Sequence, residues 1–304
     1  MAQELRVELT EQRPAEVRGL IRAWNRLGRD PVILGAGLVV AGIFVAGLLA
    51  PVLAPHDPYQ ADVLARLKPP GSPGHLLGTD HLGRDLFTRL LYGARTSLLV
   101  GFVAVFIAMA VGVPLGLVSG FFGGRVDAVL MRLMDVLMAF PSVLLAIAII
   151  AALGPGLVKA MVAVAIVGVP YYSRIVRGLT LSLKEKEFVE AARGVGTPTH
   201  RIMVRHILPH CIGPVVVAAT LDVGWMITAA AGMSFLGLGA QPPTAEWGIM
   251  LSEGRQYIRV APHVSVLPGM AIFVVVLALN LLGDGLRDLW DPRQRGSETG
   301  GRWF

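Results

Sequence analysis

The residues best suited to chemistry lie in one polar stretch near the amino-terminal third of the chain. His56, Asp57, His75, Asp80, His81 and Asp85 offer the imidazole and carboxylate donors that hold divalent metals. Their spacing follows no compact ligand set, and Cys211 is the sole cysteine, so soft thiolate ligands and a disulfide framework are both missing. A structural loop with capped turns is therefore expected, with Thr79 or Asp80 as a cap and no metal. His206 and His210 stand four apart ahead of Cys211, but Pro209 is expected to break the helix that would align them. Ser234, within Gly232-Met233-Ser234, and His263 supply a nucleophile and a base in principle. A small-residue helix contact accounts for Gly232 and Ser234 more simply. Asp222 sits inside an apolar segment, where an unpaired acid is costly, and is a candidate functional residue.

Several chemistries are absent. The chain has no G-x-x-x-x-G-K-[ST] phosphate loop, no H-E-x-x-H helix and no G-x-S-x-G elbow. It is not expected to be an enzyme or to bind ATP itself.

The elements that position these residues follow from composition. Of 304 residues 54% are hydrophobic and only 16% charged, and the mean hydropathy is +0.63. Soluble domains carry roughly 25% charge, so a multi-span all-α membrane protein is expected. Six spans are predicted, at 31–54, 97–119, 134–153, 157–172, 212–238 and 266–283, the fourth being short unless it runs on through Ile175 and Val176. Pro114, Pro141 and Pro170 are expected to kink them. Ahead of the first span, Leu20, Ile21, Trp24 and Leu27 share one helical face in a segment that reads as an interfacial elbow. Trp247 reads as a membrane-interface anchor, and the charged exit bearing Asp284, Arg287, Asp288 and Asp291 as a solvated stop-transfer tail. With both termini inside, 19 of the 27 Lys and Arg face the cytoplasm, which is the orientation the positive-inside rule selects.

One internal stretch is charged and has no counterpart elsewhere. SLKEKEFVEAARGVGTPTHRIMVRHILP, residues 182–209, separates two apolar segments and falls on the cytoplasmic side. Ser182 with Glu185 reads as a capping box that starts a helix at Leu183. Gly194 and Gly196 end it, and Thr197-Pro198 reads as the N-cap and first turn of a second helix reaching Pro209. Two short capped helices at a membrane surface suit docking better than mere connection.

Within that stretch Glu190-Ala191-Ala192, Gly196 and Leu208-Pro209 resemble the EAA loop of importer-type ABC permeases, with His206 where the pattern has isoleucine. GTDHLGRDLFTRLLYGARTSL and SFLGLGAQPPTAEWGIMLSEGR are similar to segments of the C-type subunit of dipeptide and oligopeptide permeases, as is the exit GDGLRDLWDPRQR; Ala230 stands where that subfamily often has an acid. The resemblance covers about residues 28–295. It implies a type I ABC importer permease with six transmembrane helices and cytoplasmic termini. The division it implies is a cytoplasmic segment (1–30), a first helix with an outer loop (31–96), a permease core (97–290) and a tail (291–304). Phe188, Val189, Glu190, Ala191, Ala192, Gly196, Leu208 and Pro209 would couple to an ATPase. The implied partners are a B-type permease, two ATPase subunits that carry ATP and magnesium, and an extracytoplasmic substrate-binding protein at the inner membrane. The cargo would be a dipeptide or oligopeptide; nickel or another small solute is the alternative. An ion-coupled carrier is the reading from a different class, although no inverted repeat is evident.

Overall fold

The computed structural model describes residues 30–290, with side chains described through Asp288. The amphipathic segment around Trp24 and the tail beyond 290 lie outside the described residues. Those that are described form helices and connecting loops without a β-strand. Five helices are long and apolar enough to cross a membrane, and a bent pair supplies a sixth crossing at most.

The first is α1 (Pro31–Leu48), capped by Asp30, whose carboxylate accepts the Val32 N–H at 2.8 Å, with proline at the first helical position. A four-residue helix α2 (Ala50–Leu53) continues it past a break at Leu49, so the predicted first span is two pieces. The polar loop follows, then α3 (Leu86–Phe122), 37 residues or about 55 Å long, which begins eleven residues before the predicted span. Its cap is Asp85, which accepts the Thr88 N–H at 2.8 Å. The loop ahead of it has the expected capped turn: Asp80 accepts from the Leu82 and Arg84 backbone N–H groups, and Thr79 ties the loop to Ala65 and Lys68.

The predicted third span is not one straight helix. It is α4 (Gly124–Met138) and α5 (Ser142–Leu153), bent by 91°. Pro141 forces the turn, since it has no N–H to give and disfavours helix in the residue before it. The apolar arm α5 has 12 residues, roughly 18 Å, too short to cross alone. The fourth span, by contrast, does run through Ile175 and Val176: α6 is Leu157–Leu183.

Helices α3 and α6 form the centre. Gly112, Gly116 and Gly120 lie on one face of α3, and a Cβ on any of them would collide with α6 at Val169 and Tyr172, at Ser173, or at Arg177 and Thr180. Small residues at this spacing let the two backbones touch, the usual device where lipid offers no hydrophobic drive. Around this pair pack α9 (Leu208–Phe235) and α11 (His263–Trp290), with Ile33 of α1 against Gly285 of α11. Arg177 clamps Asp127 of α4 through two hydrogen bonds of 2.5 and 2.6 Å, which fixes the bent pair against α6.

Candidate functional site

The charged stretch builds a different hairpin from the one its caps predict. Helix α6 continues through Ser182, whose hydroxyl donates to the Leu179 carbonyl at 2.9 Å, so no capping box forms and the first surface helix, α7 (Glu187–Gly194), starts four residues late. A span that enters water without interruption leaves no helix start to cap at Ser182. The end of α7 is as expected. Gly196 takes φ +78°, its N–H donates to the Arg193 carbonyl, and the Thr197 N–H donates to the Ala192 carbonyl, at 2.9 and 3.0 Å. These two bonds define a Schellman ending, for which glycine is the favoured residue. Thr197 is thereby consumed, and the next helix, α8 (Thr199–Arg201), has Pro198 at its cap.

Pro209 does not end that helix. Residues Ile202–Ile207 wind as a π-helical turn that joins α8 to α9, and the chain is helical from Thr199 to Phe235. The wider turn leaves room for the proline ring and dispenses with the hydrogen bond its nitrogen cannot make. His206 and His210 thus share one continuous helical stretch, yet neither joins a ligand cluster among the described residues.

Of the eight coupling candidates, two face inward. Val189 is fully buried and Ala192 is 7% exposed, so they seat α7 on the body of the protein with Ile202, Ile207 and Cys211 in the same apolar core. Phe188, Glu190 and Ala191 face outward with Val195, which is 81% exposed; Gly196 and Pro209 are exposed and Leu208 is partly covered. The Arg193 guanidinium lies 5.5 Å over the Phe121 ring at the end of α3, and Phe188 packs beside His210 at 5.2 Å between rings. The product is a short helix firmly held along one face and bare along the other. Asp222 stands apart from it, accepting a 2.7 Å hydrogen bond from Tyr172 and so joining α9 to α6.

The opposite end of α3 carries an arrangement that no local pattern announces. Arg84 and Arg89, both 1% exposed, share the carboxylates of Asp80 and Glu253. Arg84 donates to Asp80 at 2.6 Å and to Glu253 at 2.9 Å, and Arg89 also donates to the carbonyls of Pro58 and Pro243. Helix α10 (Trp247–Gly254) is thereby latched to α3. Trp247 belongs to the latch and is no interface anchor: it is 2% exposed, its Nε1 donates to the Leu90 carbonyl at 3.1 Å, and its ring fills the space left by Gly93. Glu246 caps α10 through the Gly248 and Ile249 N–H groups and accepts from Ser97. Ser234 is structural, its hydroxyl accepting the Ala240 N–H at 3.0 Å.

His81 borders this cluster, stacked on Tyr257 with Nδ1 buried and unpartnered. Burial pushes it below its usual value, outweighing the pull of Asp80 and Glu253, while Arg84 and Arg89 push the same way as burial. The folded protein therefore holds a neutral His81, whereas the unfolded chain takes up a proton from about pH 6.5 downward. Stability is expected to fall as pH drops below about 6.5, and His81→Phe, which keeps the stack, to flatten that slope in a thermal-unfolding series. An unchanged slope would show that other groups carry it.

Comparison with known proteins agrees with this architecture. Residues 112–296 match the family model described as binding-protein-dependent transport system inner membrane component, and residues 20–70 match the N-terminal TM domain of oligopeptide transport permease C. The chain is 46% identical over 270 residues to a glutathione transport system permease protein of Pectobacterium atrosepticum, covering 89% of this chain and 90% of that one. It is 45% identical over 273 residues to a dipeptide transport system permease protein of Alkalihalophilus pseudofirmus, covering 90% of each. Among solved structures, an inward-facing form of the MetNI methionine ABC transporter superposes with a TM-score of 0.54 at 21% identity, over 68% of this chain and 98% of that one, a likeness of fold.

Proposed function

This chain belongs to the family of binding-protein-dependent transport system inner membrane components, and we propose that it forms half of the pore of an ATP-driven importer for dipeptides or short oligopeptides. It is a multi-pass membrane permease and not a catalytic subunit. The other half of the pore is a B-type permease. Two ATPase subunits carry ATP and magnesium, and a binding protein delivers cargo on the outer face of the cytoplasmic membrane. Short peptides are favoured because the relatives are named for dipeptide and for glutathione, itself a small peptide.

The observation that carries the coupling role is the bare face of α7. Val189 and Ala192 anchor the helix, and Phe188, Glu190 and Ala191 are left to enter a groove on an ATPase subunit. Gly196 sets the angle at which the chain leaves that groove, and Leu208 with Pro209 begins the long helix α9 that receives the motion. Helix α3, at about 55 Å, is longer than the bilayer with its headgroups, so α7 at one end and the latch at the other lie on opposite sides. The excess of Lys and Arg supports a cytoplasmic side for α7 and both termini. When ATP draws two ATPases together, the docked helices move with them, and the permease halves rock as rigid bodies between two states. Asp222, held by Tyr172, is the proposed path residue at membrane depth; its chain neighbour Leu221 lines a cleft of about 440 Å³ with Tyr171, Ile175, Val217 and Arg287.

Vesicle uptake tests this reading. With the partner subunits and binding protein reconstituted, uptake of a labelled dipeptide should require ATP. The chain alone should show none under a proton or sodium gradient. Gradient-driven uptake without an ATPase, abolished by Asp222→Asn, would make the protein an ion-coupled carrier instead.

A further inference from the structure

Two groups of metal-ligating side chains lie near the latch, and their surroundings set them apart. Asp80, His81 and Glu253 bring three donors together, but both carboxylates are already neutralised by Arg84 and Arg89. A dication there would enter against two fixed positive charges. His56, His75 and Asp85 form the other group, and among the described residues Asp85 is ion-paired with imidazoles only.

The geometry of this second group is specific. The Asp85 side chain is 1% exposed and oriented by the Thr88 N–H, which donates to Oδ2 at 2.8 Å. His75 Nδ1 lies 3.0 Å from Oδ1, and His56 Nδ1 lies 3.8 Å from Oδ2, with the two rings stacked 5.0 Å apart. Two ligands on a tetrahedral ion at 2.0–2.1 Å are roughly 3.3 Å from each other. The two nitrogen-to-oxygen separations bracket that figure. The His56 separation is too long for a hydrogen bond and leaves room for an ion between the second imidazole and the carboxylate. Such two-imidazole, one-carboxylate sets suit zinc and its transition-metal neighbours, not magnesium or calcium.

We propose that His56, His75 and Asp85 form a binding site for a divalent transition-metal ion of the zinc class. His75 also lines a groove of about 430 Å³ with Leu53, Pro55, Gly71, Ser72 and Gly74, from which water would complete the shell. The bound ion staples the segment after α2, the turn at 69–76 and the first turn of α3. The Thr88 N–H fixes the carboxylate from behind, as backing groups do at metal sites. This site is independent of the transport reading and of the coupling helix.

The test uses the full chain in its complex, purified with a tag that contains no histidine, stripped with chelator and titrated with zinc. One zinc per chain attributable to this site is expected, with His56→Ala and His75→Ala each weakening it by at least about tenfold. Both variants spare the Asp85 cap and should fold. Zinc should raise the thermal midpoint of the parent and leave that of the double variant unmoved. Cobalt substituted for zinc should give ligand-field bands that vanish in the double variant. Identical zinc uptake by the parent and the double variant, or none by either, would overturn the site.

Discussion

Replacing Gly196 with arginine is expected to leave the protein folded and in the membrane but to cut ATP-driven uptake by at least about tenfold, with ATP hydrolysis released from its dependence on cargo. Gly196 holds φ +78° with open space where a Cβ would stand, so the substitution meets no atom and costs only the left-handed backbone, about 1–2 kcal/mol. A domain stability of about 5–15 kcal/mol absorbs that. What changes is the Schellman ending, which fixes where α7 stops and where Thr197 departs, and a long cation now projects from the proposed docking surface. Gly196→Asn is the control, because asparagine tolerates the left-handed conformation and adds no charge. It should retain most of the uptake. If both variants lose uptake equally, backbone strain and not the docking surface is responsible, and normal uptake by Gly196→Arg would remove α7 from the coupling path.

The second large effect is expected at the latch. Glu253→Ala leaves two buried arginines with Asp80 alone, and stripping one partner from a buried charge cluster costs about 3–5 kcal/mol. The thermal midpoint should fall on the order of 10 °C. Removing a charge of each sign together is different. The pair Arg84→Met with Glu253→Leu keeps Arg89 opposite Asp80 and replaces the lost charges by apolar volume, so it should recover most of the loss. A single variant as stable as the parent would mean that α10 is held by Trp247 and its packing, with the ion cluster incidental.

These two sites differ in how far the sequence discloses them. The α7 hairpin lies within 28 consecutive residues, and Gly194, Gly196 and Pro198 punctuate it in plain view. Its inward face was also accessible: Val189 and Ala192 are three apart, the spacing of one helical face, while Glu190 and Arg193 occupy another. The start was not, because Ser182 and Glu185 satisfy a capping pattern that a continuous α6 overrides. At Pro209 a π turn absorbs what the residue type says should be a break. Local rules describe isolated chains, and a helix already anchored on both sides escapes them.

The latch is the opposite case. Arg84 and Glu253 are 169 positions apart, and nothing in either segment alone tells that its charges are buried. The apparent polarity of both segments suggests solvent, and Trp247 between them suggests an interface. The legible sign is that two polar loops, each with unpaired charge of both signs, flank apolar spans on the same side. Likewise the donors His56, His75 and Asp85 follow no compact spacing because a folded loop, not a helix or hairpin repeat, brings them together. Apolar length announced six crossings, of which five are single helices and the sixth rests on the bent pair; a kink at Pro141 was expected but its size, 91°, was not legible, since prolines at 114 and 170 sit inside unbroken helices.

The most direct measurement places a single cysteine at Ala191, on the bare face of α7, in a background where buried Cys211 is replaced by alanine. In membranes holding the assembled complex, this cysteine should form a cross-link to an ATPase subunit, with a yield that changes when ATP binds, while a cysteine at Leu64 on the opposite side should form none. A complex that transports normally yet gives no cross-link from position 191 would contradict the assignment of α7 as the coupling helix.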